Sequence, residues 1–177
     1  HSISILNRLL ISSEQLGITD IVLPCVDRSR FYSGTDIEQF VKRIRESVAL
    51  AEKAGINLSL ETDLPPEPYL ELLDRFDSNR VTVNYDIGNS ASLGFDINEE
   101  LSAYGNLISD IHIKDRTLGG NSVFLGSGNA NFNQFFKGLE TYHYKGPFIM
   151  QAYRDDEGLE IFEKQLRWIK PYIKGQN

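Results

Sequence analysis

The chain has 177 residues, 41% of them hydrophobic and 24% charged, proportions that describe one globular domain able to bury a sizeable core. Its formal net charge of −7 repels a phosphate backbone, and the densest basic run, Lys42-Arg43-Ile44-Arg45, falls on a helix face, so nucleic-acid binding is not expected. A single cysteine, Cys25, excludes a disulfide framework and a thiolate zinc cluster, and reads as a small buried strand residue.

No stretch approaches the roughly 20 apolar residues of a transmembrane helix, and no signal-peptide pattern opens the chain. The expected location is therefore the cytoplasm, with no membrane partner. His1 reads as the remnant of an expression tag and is given no role.

Taken in chain order, residues 2–16 place Ile5, Leu6, Leu9, Leu10 and Leu16 at helical spacing, with Gly17 as a stop. Asp20 to Val26 reads as a short buried strand. Thr35 and Asp36 sit where an N-cap belongs, and a helical stripe runs from Ile37 to Ala54 before Gly55 ends the helix. Ile56 to Leu60 is the next strand. A helix follows from Pro66 through Phe76, then a strand over Val81–Ile87, a helix over Ile97–Tyr104 and a strand over Leu107–Ile113. The chain closes with a helix over Asn131–Leu139, a strand over Pro147–Gln151 and a helix over Glu157–Ile173.

Strands alternating with helices of this length make βαβ units and a parallel sheet. The periodicity alone fits a barrel or a doubly wound sheet equally. A closed barrel needs eight strands and about 200 residues or more. Five strands in one domain over 1–177 therefore correspond to a partial barrel, lacking three N-terminal βα units or completed by association. Unclosed sheet edges favour pairing, so either association, as in a homo-oligomer, or a missing segment is expected.

Polar residues gather where the strands end. Glu61 closes the second, Asp86 the third, His112 with Lys114 and Asp115 the fourth, and Gln151 with Arg154 the fifth. In parallel α/β architectures these ends converge on the ligand-binding face. Singly, Glu61 or Asp86 reads more readily as a helix cap or salt-bridge partner, and a lone histidine as a hydrogen-bonded core residue. Together, on three consecutive strand ends, they point to a divalent metal (Mn, Mg, Co or Zn) with an open coordination position. Two carboxylates brought together without a cation would repel each other.

The succession Leu58-Ser59-Leu60-Glu61-Thr62, Val83-Asn84-Tyr85-Asp86-Ile87-Gly88-Asn89, Ile111-His112-Ile113-Lys114-Asp115-Arg116, Leu125-Gly126-Ser127-Gly128-Asn129-Ala130-Asn131-Phe132 and Phe148-Ile149-Met150-Gln151-Ala152-Tyr153-Arg154-Asp155 resembles the second half of the xylose isomerase-like TIM-barrel superfamily. Within it the likeness is to sugar-phosphate isomerases and epimerases. The resemblance implies a divalent metal held by Glu61, Asp86 and His112, with Gln151 at the fourth ligand position. Glu61 would double as a catalytic acid/base, and Asn89 would meet a small sugar or sugar-phosphate substrate. Lys114 and Asp115 read as contacts to substrate hydroxyls or to each other, with surface solvation the equal alternative, and Arg154 as a holder of phosphate or carboxylate or as the partner of a neighbouring acid.

Two residues depart from the family pattern. Gln151 stands where a glutamate is usual, and an amide coordinates a metal but accepts no proton at neutral pH. Asn89 stands where many relatives carry histidine. The glycine-rich Leu125–Asn129 segment resembles a loop that lets backbone approach a ligand, and a simple turn explains it nearly as well.

The function expected is thus a metal-dependent isomerase or epimerase working by proton transfer next to a metal-polarised carbonyl. The alternative is a degenerate relative that binds metal or sugar without turnover. A third reading, hydrolysis of abasic DNA by an endonuclease branch of the superfamily, is disfavoured by the acidic charge and by the scarcity of histidine.

Overall fold

The computed structural model describes residues 2–151, 153 and 158–175. The chain forms two compact units, residues 1–84 and 85–177, whose junction falls inside one strand.

In the first unit, α1 (Ser2–Leu16) is followed by β1 (Asp20–Cys25), α2 (Gly34–Ala54), β2 (Asn57–Thr62), α3 (Pro66–Leu73) and β3 (Val81–Asp86), the strand that continues into the second unit. β1 pairs in parallel with β2, Pro24 facing Glu61 and Cys25 facing Thr62, and β2 pairs in parallel with β3. Leu58 and Leu60 point to one side of β2, Ser59 and Glu61 to the other, as a period of two requires. On the polar side Ser59 Oγ lies 3.2 Å from Thr82 Oγ1. The apolar side packs the helices: Val41, Ile44, Val48 and Ala51 of α2 are buried, as are Leu6 and Leu10 of α1. Ser47 donates to Asn7 Oδ1 at 2.6 Å and ties those helices together.

The start of α2 differs from the expected cap at Thr35 and Asp36. Ser33 is the N-cap, accepting from the Asp36 N–H, while the Asp36 carboxylate accepts from the Ser33 hydroxyl and the Tyr32 N–H. This is a reciprocal capping arrangement three residues apart, so Asp36 closes the cap from inside the first turn. Gly55 ends the helix at φ 70°, as expected of an αL stop.

The second unit carries α4 (Ile87–Leu93), α5 (Ile97–Tyr104), β4 (Ile108–Ile113), the short β5 (Asp115–Arg116) and β6 (Ser122–Val123), α6 (Phe132–Leu139), β7 (Phe148–Met150) and α7 (Leu159–Lys174). β4 pairs in parallel with β7, while β5 and β6 form an antiparallel ribbon. Ile111, Ile113, Phe135, Leu139 and Ile169 are fully buried, and Tyr85 stacks on Phe135 at 4.7 Å between centroids.

Neither α4 nor the β5–β6 ribbon was expected. The strand anticipated to reach Ile87 stops at Asp86, whose side chain caps a helix that starts at once. The sheet runs β1-β2-β3-β4-β7, the five strands expected of a partial TIM barrel. Among the described residues no helix is long and apolar enough to cross a membrane.

Candidate active site

In the first unit Glu61 sits on the polar side of β2, one residue from the strand end, and is 7% exposed. Cys25, at the end of the adjoining β1, has its thiol pushed up to about 12 by burial, with the negative charge of Glu61 adding to the effect. At neutral pH the thiol stays protonated and is a poor nucleophile.

The second unit carries Asp86 at a strand-to-helix junction. Asp86 Oδ1 accepts from the Asn89 N–H at 2.8 Å and so caps α4, which aims Oδ2 away from the helix. Oδ2 lies 3.3 Å from Lys114 Nζ and 3.8 Å from His112 Nδ1. The latter distance is too long for a hydrogen bond. His112 and Lys114 follow the period of two at the end of β4, and Arg116 continues it in β5.

Lys114 also reaches Asn89 Oδ1 at 3.2 Å and Gln151 Oε1 at 3.5 Å. Arg116 Nη1 donates to the same Asn89 oxygen at 2.8 Å, and its Nε and Nη2 hold the Gly120 carbonyl at 3.0 and 2.8 Å. Two cationic donors on one amide oxygen fix the orientation of the Asn89 side chain.

Among the described residues, Glu61, Asp86 and His112 form a group of potential metal ligands, each offering one ligand atom, with these atoms all within 4.8 Å of one another and all three residues buried. Three ligands about 2.0–2.2 Å from one ion stand about 3.3–3.8 Å apart, so the group matches a divalent cation once its atoms close by up to about 1 Å. Two carboxylates and an imidazole suit the borderline and hard cations expected from the sequence.

Of the residues expected to meet substrate, Asn89 and Lys114 belong to this cluster, whereas Asp115 is occupied elsewhere. It is 1% exposed, and its carboxylate accepts from the N–H groups of Gly126, Gly128 and Ala130 at 2.9, 2.8 and 3.1 Å. Those bonds assign Asp115 to holding the glycine-rich loop. Gly126 has φ 83°, and a Cβ there would meet the Trp168 ring at 2.5 Å, so the loop demands glycine for both conformation and space. Arg154 lies outside the described residues. Arg116 was not anticipated, although its place two residues after Lys114 was the available signal.

The chain is similar to curated relatives and to solved structures. SgbU of Haemophilus influenzae, provisionally named an L-ribulose-5-phosphate 3-epimerase, is 30% identical over 188 residues, covering 95% of this chain and 64% of its own. The L-ribulose-5-phosphate 3-epimerase UlaE of Escherichia coli O1:K1 / APEC is 25% identical over 184 residues, covering 96% and 63%. The chain thus spans a little under two thirds of the length of these relatives. The crystal structure of a xylose isomerase-like TIM barrel protein from Mycobacterium smegmatis in complex with magnesium superposes with a TM-score of 0.76 at 18% identity, covering 98% of this chain and 67% of that one. The family model described as xylose isomerase-like TIM barrel matches residues 1–172, and the chain belongs to that family.

Proposed function

We propose that this chain carries the metal-binding part of a sugar or sugar-phosphate isomerase or epimerase, which exchanges a proton on the carbon next to a carbonyl. The observation that supports the reading is the group Glu61, Asp86 and His112, whose ligand atoms all lie within 4.8 Å of one another. The epimerase names of the relatives support the substrate class.

Glu61, Asp86 and His112 would hold a divalent cation. When bound, the cation supplies Lewis-acid polarisation of the sugar carbonyl and stabilises the negative charge that develops on its oxygen. Glu61 would take the proton, its burial limiting competition from water. Asn89, held by Lys114 and Arg116, keeps one orientation toward substrate hydroxyls, and the two cations favour an anionic substrate such as a sugar phosphate. Association with a second chain along the terminal strands β1 and β7 belongs to the same proposal and is checked by solution molecular mass.

Proton removal needs one base, Glu61. Its return to the opposite face of the carbon, which epimerisation requires, needs a second, and Gln151 is not one. That residue favours a second reading, a metal- or sugar-binding relative without turnover.

Both readings are tested by incubating the Mn²⁺-loaded protein with L-ribulose 5-phosphate in D₂O and following the sugar by NMR. The proposal expects Mn²⁺-dependent deuterium incorporation beside the carbonyl, lost in Glu61→Gln while circular dichroism is unchanged. Incorporation that persists in Glu61→Gln refutes the role of Glu61. Absence of exchange in the wild type, with epimer formation restored by Gln151→Glu, establishes the second reading.

A further inference from the structure

Three oxygen atoms converge on one ammonium beside the proposed metal ligands. Lys114 Nζ lies 3.3 Å from Asp86 Oδ2, 3.2 Å from Asn89 Oδ1 and 3.5 Å from Gln151 Oε1. The lysine side chain is 18% exposed and that of Asp86 1%, so the pair is mostly withdrawn from water. The Lys114 stem runs over Gly88, where a Cβ would meet its Cγ at 2.8 Å, and the absence of a side chain at 88 gives the stem its path.

Two of the three acceptors are neutral amides. The third, Asp86 Oδ2, is also the oxygen that the cap leaves available, since Oδ1 is committed to the Asn89 N–H. A divalent cation drawing on Oδ2 would therefore take the oxygen that the ammonium holds. A monovalent and a divalent positive charge cannot both sit on one carboxylate oxygen without strong repulsion.

We infer that Lys114 is a tethered cation that competes with the metal for Asp86 Oδ2, sets the metal affinity of the site, and passes to Asn89 and Gln151 when the metal enters. In the metal-free protein the ammonium offsets the carboxylate charge and keeps the site in shape. On loading, the two amide oxygens already within its reach receive it, and the charge is presented toward the substrate side of the cluster. The inference rests on the metal reading of Glu61, Asp86 and His112, and makes Lys114 a positioning residue that acts through Asp86.

The test is a calorimetric titration of metal-stripped protein with Mn²⁺, wild type beside Lys114→Met, which keeps the length of the stem and removes the charge. The expected result is Mn²⁺ binding about tenfold tighter in the variant. Damage to the fold would weaken binding, so a gain cannot be mistaken for disruption. Equal or weaker affinity in the variant overturns the role of Lys114 while leaving the metal site standing. No binding by either protein overturns the metal reading and the inference with it.

A second measurement uses the wild type alone. Acylation of Lys114 by a water-soluble succinimidyl ester, read by peptide mass spectrometry, should accelerate severalfold when saturating Mg²⁺ releases the ammonium from Asp86. A rate unchanged or lowered by Mg²⁺ overturns the inference, even where Lys114→Met fails to fold.

Discussion

Replacing Asp115 by asparagine removes one charge and turns one acceptor oxygen into a donor, in a place where three backbone N–H groups converge. Oδ2 serves Gly126 and Gly128, and Oδ1 serves Ala130. The least costly placement of the amide keeps its oxygen on the two glycines and turns its NH₂ against the Ala130 N–H. One bond is then lost with two donors facing each other, worth about 2 kcal/mol, and two charge-assisted bonds become neutral ones, worth about 0.5 kcal/mol each. The sum is about 3 kcal/mol for Asp115→Asn. Asp115→Ala leaves all three donors without the carboxylate and costs about 3–5 kcal/mol. Urea denaturation gives the global loss, and amide hydrogen exchange at residues 126, 128 and 130 reads the loop directly. Both variants should exchange those amides faster than wild type, with Asp115→Ala the less stable. An Asp115→Asn protein within about 0.5 kcal/mol of wild type, with loop protection intact, would refute the assignment of this carboxylate to the loop.

Two further outcomes follow from the titratable groups that are buried. Glu100 is 3% exposed, and its carboxylate accepts from the hydroxyls of Tyr85, Ser90 and Tyr104. Burial raises its pKa above the ordinary value in spite of those three bonds, so the folded state binds the proton more tightly than the unfolded one. The stability this contributes is full below the unfolded carboxylate pKa and is lost as pH rises through the raised folded value. Glu100→Gln, which cannot titrate, should therefore gain stability relative to wild type as pH rises through that window. A difference in urea midpoint between the two proteins that stays flat or moves the other way contradicts this. Cys25, with its thiol pushed up to about 12, should resist iodoacetamide at pH 7–9 in the native protein and react at an ordinary thiol rate once denatured; comparable rates in the two states would rule that out.

The parts of the site that could be read from the residues are those governed by local periodicity. Leu58-Ser59-Leu60-Glu61 and Ile111-His112-Ile113-Lys114 alternate strictly, so the polar member at each strand end identifies both the face and the position. The order of strands and helices followed from the same alternation.

What escaped depends on contacts that periodicity does not carry. The sequence Ile87-Gly88-Asn89-Ser90 combines residues that form helices poorly, so α4 rests on the Asp86 cap and on burial rather than on propensity. Asp115 finds its partners 11–15 residues later, beyond any helical or strand period. Glu100 reads as a solvated helix residue, because the Tyr85 and Ser90 hydroxyls that receive it come from β3 and α4.

Asp86 joins these two kinds of information. One of its oxygens starts a helix and the other faces the cations, so its orientation toward the site is set by the backbone of α4 rather than by packing of its own side chain. Loss of the cap alone costs about 1 kcal/mol. Asparagine keeps a side-chain oxygen for that cap while removing the charge that Lys114 and a metal would share. Folding and binding are thereby separable at a single residue. Asp86→Asn should retain most of the stability that Asp86→Ala loses, yet bind Mn²⁺ no better than it. An asparagine variant with wild-type Mn²⁺ affinity would mean that the carboxylate serves the helix and not the metal.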